Sequence, residues 1–234
     1  MKFILVPGAW AGGWLWDEVA RELRKKGHGT HQLTLAGLDG KSDSGEVRLK
    51  THVKDVRSYI ASRDLPSVVL VGHSYSGFVV GQVASQHPDL IDHTIFVEAF
   101  LPVAGRSLLE ASGLDVQEEC AAIASNQGNW PAPLPEELAS QPHLSDAQVK
   151  LFLSKQLPHP GATVTDPAEL NSPLESVSAS FIGHQGWLSG SRAQATVDAL
   201  RSCTNWQFHT IEGGHWPMLT SPRELSELLH SCVT

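Results

Sequence analysis

Short runs of β-branched and apolar residues alternate with longer segments of helical hydrophobic spacing along most of the chain. Strands are predicted at residues 3–6, 30–35, 67–72, 93–98, 178–183 and 206–211. Helices are predicted at residues 14–26, 47–63, 77–87, 191–201 and 221–231. Strands that alternate with helices need crossover connections, so the pattern predicts an α/β fold. Its sheet should be mostly parallel and covered by helices on both faces.

The middle of the chain interrupts this alternation. Residues 104–170 contain short amphipathic segments and a proline-rich run at 130–135, Trp-Pro-Ala-Pro-Leu-Pro. Short helices joined by prolines are typical of a lid over a pocket. We therefore predict a core of residues 1–103 and 171–234 with an inserted helical lid at 104–170.

Length and composition agree with one core and a lid, because 234 residues can bury a substantial interior. The formal net charge of -8 argues against a nucleic-acid partner. No apolar run reaches the length of a membrane span or of a signal-peptide core. Cys120, Cys203 and Cys232 lack the spacing of a disulfide framework or a zinc site. These features predict a cytoplasmic protein with reduced thiols and no membrane partner.

The segment at residues 68–77, Val-Val-Leu-Val-Gly-His-Ser-Tyr-Ser-Gly, contains a candidate nucleophile. A nucleophile elbow turns a strand sharply into a helix around one residue, and its neighbours two positions away must be small. Gly72 and Ser76 occupy those positions around Ser74. An ordinary strand-to-helix turn is the alternative. His73 precedes the nucleophile and is expected to shape the elbow.

Two further segments complete a pattern that serine hydrolases need. Residues 2–14 form a short strand followed at once by a glycine-rich turn, and residues 211–219 form a strand end followed by a loop that presents His215. A serine hydroxyl requires a base and donors for the oxyanion that its attack creates. The three segments occur in the chain order in which a hydrolase would use them.

On these motifs the chain resembles the α/β-hydrolase superfamily. Within it, the opening resembles that of the compact serine esterases, including methylesterases and hydroxynitrile lyases, which begin with a strand and H-G-A-W-x-G-x-W. The resemblance implies oxyanion donors at the backbone N–H groups of Ala9 and Tyr75, and no cofactor or metal. Pro7 stands where relatives usually carry histidine.

The acid of the expected triad is absent from its usual position. Most relatives place it in a G-x-x-D pattern after the penultimate strand, where this chain has Gly186. Either the triad is broken or another carboxylate supplies it. Glu98 ends the strand after the elbow helix, which resembles the acid position of haloalkane dehalogenases and fungal zearalenone lactonases. The alternative for Glu98 is an ordinary surface position at a strand end.

Aromatic residues concentrate near the predicted catalytic edge. We expect an apolar pocket lined by Trp10, Phe100, Phe152, Trp187 and Trp216. Among the loops at this edge only Arg192 supplies a cation, which disfavours a charged carboxylate or phosphate substrate.

The sequence therefore predicts a carboxylic ester hydrolase, either a carboxylesterase or a lactonase. It would cleave a small ester or lactone with a bulky apolar or aromatic group through an acyl-enzyme. Ser74 would be the nucleophile, His215 the base and Glu98 the orienting acid. Dehalogenases and epoxide hydrolases need aspartate in place of Ser74, and hydroxynitrile lyases use a lysine that this chain lacks. The alternative is a non-catalytic small-molecule receptor on a decayed hydrolase scaffold, and the oligomeric state stays open.

Overall fold

A six-stranded parallel sheet forms the centre of the protein. The computed structural model describes residues 1–40, 46–65, 67–141, 143–188 and 194–234. In chain order the strands are β1 (Lys2–Val6), β2 (Gly29–Gln32), β3 (Val68–His73), β4 (Ile91–Val97), β5 (Asn129–Trp130), β6 (His159–Pro160), β7 (Ala179–Gly183) and β8 (Trp206–Thr210). The large sheet has the order β2-β1-β3-β4-β7-β8, and β5 and β6 form a separate antiparallel pair.

Helices connect the strands and fill the inserted segment. In chain order the α-helices of the described residues are α1 (Asp17–Lys25), α2 (Leu49–Ser62), α3 (Ser76–Gln86), α4 (Leu108–Ser112), α5 (Val116–Ser125), α6 (Pro135–Ala139), α7 (Asp146–Lys155), α8 (Ala162–Thr165), α9 (Gln185–Leu188), α10 (Gln194–Arg201), α11 (Pro217–Thr220) and α12 (Pro222–Ser231). Over this part of the chain, none of them combines the length and the apolar character needed to cross a bilayer.

The predicted fold class is confirmed, with small differences at element ends. The strand predicted at 30–35 ends at Gln32, because the apolar residues that follow pack into the core as a loop. The helix predicted at 14–26 starts as a short 3₁₀ turn, Gly13–Trp16, before α1. The helix predicted at 191–201 is described only from Gln194 onward, so residues 191–193 lie outside the described ranges.

Alternate residues of each strand enter two cores on opposite faces of the sheet. In β1, Ile4 joins one core while Phe3 and Leu5 join the other. The first core is closed by α2 and α3, and the second by α1 and α12. Burial on both faces explains why the strands are continuous apolar runs.

The segment predicted as a lid contains α4 to α8 and the β5–β6 pair, and it is bonded to the core at several points. Asp166 accepts hydrogen bonds from the Arg48 guanidinium and from the Leu49 N–H. The Trp10 indole donates to the Trp130 carbonyl at 3.0 Å, and the Trp10 carbonyl accepts from the Leu157 N–H at 3.0 Å. The loop after β1 is therefore attached to this segment through both the side chain and the backbone of Trp10. The exact division into core and lid stays a prediction.

Two buried histidines lie where this segment meets the core. His52 Nε2 donates to the Ala36 carbonyl at 2.8 Å, so its Nδ1 accepts from the Tyr75 hydroxyl at 2.7 Å. The His159 ring packs 4.5 Å from the Tyr75 ring, and its Nε2 lies 2.8 Å from Thr163 Oγ1. Burial lowers the pKa of His52 to about 4 and that of His159 well below its ordinary value. Both rings are therefore neutral in the folded protein at neutral pH.

The His52 pKa predicts a loss of stability in acid. The unfolded chain binds a proton at His52 near the ordinary value of 6.5, whereas the folded protein binds it only near about 4. Between these values the unfolded state holds more protons, so the free energy of unfolding falls as the pH falls. The His52 contribution is fully present above pH 6.5 and is lost toward pH 4.

We expect His52→Gln to flatten this dependence by up to about 1.4 kcal/mol per pH unit. Urea unfolding of both proteins from pH 8 to pH 4 measures the two slopes. The difference in stability at pH 8 serves as the control, because it reports only the contacts that the substitution removes. A variant that loses stability in acid as steeply as the unchanged protein would contradict the prediction.

Candidate active site

Ser74 lies in a strained turn between β3 and α3. Its φ of 51° is in the left-handed region, which residues other than glycine rarely adopt. A Cβ at Gly72 would lie 2.8 Å from the Ser76 carbonyl oxygen, so the chain can double back here only with glycine at that position. The turn leaves Ser74 8% exposed at the carboxyl edge of the sheet. This is the geometry of a nucleophile elbow.

His215 reaches Ser74 from the loop after β8. Its Nε2 is 3.1 Å from Ser74 Oγ. Gly213 and Gly214 both have positive φ, which lets the loop turn back toward the elbow. The His215 carbonyl accepts a hydrogen bond from His73 Nε2 at 2.8 Å. Burial lowers the pKa of His73 well below its ordinary value, so this ring is a neutral donor that fixes the loop.

Glu98 follows β4 at the same edge, and its side chain is wholly buried. Its Oε2 is 3.6 Å from His215 Nδ1. The same oxygen lies 2.8 Å from His184 Nδ1, and Oε1 accepts from the backbone N–H of His184. The structure thus brings Ser74, His215 and Glu98 together and does not leave Glu98 on the surface. His184 was missed at the sequence level, although its position directly after β7 was a signal for it.

The loop after β1 passes directly over the elbow. A Cβ at Gly8 would lie 2.7 Å from His73 Nδ1 and 3.0 Å from Ser74 Cβ, so only glycine permits this approach. The approach brings Ala9, which is 2% exposed, close to the nucleophile. Among the described residues, the N–H groups of Ala9 and Tyr75 have no protein acceptor, so both stay the predicted oxyanion donors.

Pro7 and Ser76 both depart from the motifs expected in relatives, and they contact each other. Ser76 occupies the downstream position of the elbow, and its hydroxyl donates a hydrogen bond to the Pro7 carbonyl. This bond ties the start of α3 to the loop that carries Ala9. It uses the proline's carbonyl, which remains available although proline has no N–H.

A cavity of about 360 Å³ opens above Ser74. It is lined by Trp10, Ser74, Phe100, Trp130, Pro133, Glu137, Leu138, Gln141, His184, Trp187, His215 and Trp216. Four of the five predicted pocket residues are present. Phe152 is the correction, because it is 1% exposed and packs behind the cavity, with its ring 4.6 Å from the Trp216 ring. Its helix, α7, turns this apolar side chain into the core and not toward the cavity.

Five residues of the inserted segment line the cavity although the sequence does not single them out. Trp130, Pro133, Glu137, Leu138 and Gln141 all come from the β5–α6 region. No lysine or arginine belongs to this lining within the described ranges, and Arg192 lies outside those ranges. Across the same ranges, no group of three or more His, Cys, Asp or Glu side chains is placed to hold a metal ion.

Several known proteins resemble this chain over most of its length. Residues 3–228 match the alpha/beta hydrolase family. A carbendazim hydrolyzing esterase from Nocardioides sp. strain SG-4G is 31% identical over 97% of this chain and 98% of that protein. Esterase PIR7B from Oryza sativa subsp. japonica is 29% identical over 70% of this chain and 67% of its own length.

A solved structure agrees with these matches. It is an extracellular alpha/beta-hydrolase from a Paenibacillus species, described as sharing structural and functional homology with tobacco salicylic acid binding protein 2. It covers 99% of this chain and 98% of its own, with a TM-score of 0.85 and 26% identity. With the elbow at Ser74, these matches confirm the resemblance and show that the chain belongs to the α/β-hydrolase family.

Proposed function

We propose that the protein is a carboxylic ester hydrolase that works through an acyl-enzyme on Ser74. The observation that carries the proposal is the 3.1 Å contact between Ser74 Oγ and His215 Nε2, at an elbow with two free backbone donors. Relatives named as esterases, one of them similar over nearly the full length of both chains, support the same activity.

The geometry supports a two-step reaction. As Ser74 Oγ attacks the ester carbonyl carbon, His215 Nε2 takes the hydroxyl proton, and the N–H groups of Ala9 and Tyr75 bind the resulting oxyanion. Collapse of this intermediate breaks the C–O bond, and the alcohol leaves with the proton from His215. Water then attacks the acyl-enzyme, His215 takes a proton from it, and the acid is released as Ser74 is restored.

Glu98 is proposed as the acid that orients His215. A carboxylate beside Nδ1 keeps the proton on that nitrogen, leaves Nε2 free to accept from Ser74, and stabilises the imidazolium that forms. The 3.6 Å separation is longer than a hydrogen bond. Such contacts often shorten only when substrate binds and charge develops. A wholly buried carboxylate also needs hydrogen-bond partners of this kind, because burial removes its contacts with water.

The cavity favours a neutral ester or lactone with a bulky apolar or aromatic group. Aromatic side chains surround it, and the Trp187 ring stacks on the His215 ring at 5.4 Å. Glu137 in the lining would repel an anionic substrate. The Nocardioides relative is named for hydrolysing carbendazim, which supports a small-molecule substrate.

A non-catalytic small-molecule receptor is the second candidate. Glycine at position 186, where most relatives are expected to carry the acid, is the observation that favours it. The two functions differ in whether Ser74 reacts.

We expect a fluorophosphonate probe to label the protein at Ser74, because an activated serine attacks the phosphorus centre. Ser74→Ala should abolish both labelling and hydrolysis of aryl esters while the circular dichroism spectrum is unchanged. Ser67→Ala is the control, since Ser67 is also a serine with positive φ next to β3 but lies at the opposite end of that strand. An unlabelled protein without esterase activity would favour the receptor.

Glu98→Gln should lower kcat by up to about 10⁴-fold, the loss that a wrong histidine tautomer causes in serine proteases. Steady-state hydrolysis of an aryl ester measures kcat and KM, and KM should change little because Glu98 is not part of the cavity lining. Turnover within threefold of the unchanged enzyme, with the fold intact, would remove Glu98 from the mechanism.

Ser76→Ala should lower kcat by about 10- to 100-fold, because a displaced loop moves the Ala9 donor away from the oxyanion. It should also cost about 1–3 kcal/mol of stability, since the Pro7 carbonyl loses its buried partner. The matched control is Ser85→Ala in the same helix, where the hydroxyl donates to the Ser172 carbonyl at 2.7 Å, far from the elbow. The control should lose stability but keep its kcat, and equal losses of kcat in both variants would refute the role of Ser76.

A further inference from the structure

His184 holds both oxygens of the Glu98 carboxylate. Its backbone N–H donates to Oε1, and its Nδ1 is 2.8 Å from Oε2. A carboxylate oxygen only accepts, so His184 Nδ1 carries a proton in this contact. The residue lies between β7 and α9 and also lines the cavity, with 36% of its side chain exposed.

Two imidazole rings therefore share one buried carboxylate oxygen. Oε2 is 2.8 Å from His184 Nδ1 and 3.6 Å from His215 Nδ1. A glutamate side chain has one more rotatable bond than an aspartate, so it needs more constraints to hold its carboxylate in one place. Two donors from a single residue provide this constraint.

Gly186 makes room for the His184 ring. A Cβ at residue 186 would lie 3.0 Å from His184 Nε2 and 3.2 Å from its Cδ2. These separations are tighter than ordinary contacts between such atoms, so a side chain at this position would require the His184 ring to shift by a few tenths of an ångström. Gly186, which stands where most relatives are expected to carry the acid, thus leaves the His184 ring undisturbed beside Glu98.

We propose that His184 is a positioning residue that acts on catalysis through Glu98. It fixes the carboxylate at the point from which it orients His215. The inference rests on the proposed function, because it requires Glu98 to be the orienting acid. His184 itself transfers no proton to or from the substrate.

The test compares replacements that keep or lose the donor to Glu98. The amide nitrogen of asparagine can occupy the place of Nδ1, whereas glutamine extends to the place of Nε2 and phenylalanine has no donor. We expect His184→Asn to keep kcat within about threefold, and His184→Gln and His184→Phe to lose about 10- to 100-fold, by analogy with the loss of a hydrogen-bond partner that orients a metal-binding side chain. The comparison rests on kcat, because His184 also lines the cavity and its replacement changes the surface that the substrate contacts.

His93→Phe is the matched control. His93 is a partly buried histidine on β4, the strand that Glu98 follows, and its nitrogens lie 3.0 Å and 2.8 Å from the hydroxyls of Ser178 and Ser180. It is at the other end of the strand, so its replacement should reduce the melting temperature and leave kcat unchanged. A loss of kcat equal to that of His184→Phe would mean that loosening the sheet, and not the bond to Glu98, causes the effect.

A double-mutant cycle separates the inference from the proposed function. In a Glu98→Gln background, His184→Phe should reduce kcat no further, because its target is already gone. An additive loss would show that His184 acts without Glu98 and would overturn the inference alone. Full activity of His184→Phe together with an inactive Glu98→Gln would also overturn the inference alone. An active Glu98→Gln would overturn the proposed role of Glu98 and the inference together.

If His184→Phe fails to fold, the comparison of His184→Asn with His184→Gln decides. Equal kcat values for those two variants would also overturn the inference.

Discussion

Backbone strain at the carboxyl ends of neighbouring strands is the constraint on which this site depends. Trp10, Ser74 and Glu98 follow β1, β3 and β4, and all three have positive φ without being glycine. Such conformations cost free energy and persist only where the surroundings fix them. At Ser74 and Glu98 the fixing comes from the sheet, because the Ser74 N–H still donates to Val97 and the Glu98 N–H to Ile182. The strands thus hold the chemical groups before any substrate arrives.

Much of this arrangement follows from the order of residues. Apolar runs that are buried on both faces identify the strands, and parallel strands deliver their last residues to one edge, which places Ser74 and Glu98 side by side. Glycine spacing identified the elbow at Ser74 and the loop before His215. These features follow from the local pattern of apolar residues and glycines and from the rules of strand connection, so the sequence alone predicts them.

Other features depend on side-chain directions that the order of residues does not determine. Phe152 was assigned to the pocket, but a short helix such as α7 can turn either side toward the core, and its rotation is set by packing against Trp14 and Trp216. The bond between His184 and Glu98 depends on the rotamers of two side chains 86 residues apart. The contribution of α6 to the cavity depends on how the inserted segment folds over the core.

The double attachment of Trp10 has an evolutionary consequence. Its indole and its carbonyl both bond to the inserted segment, and the next residue toward the amino terminus is Ala9. A substitution that moves the inserted segment to fit a new substrate therefore also shifts Trp10 and the adjoining Ala9 peptide beside Ser74. Substrate preference and catalytic rate are therefore coupled through Trp10. Homologues that acquire new substrates are expected to accumulate compensating substitutions in residues 7–13.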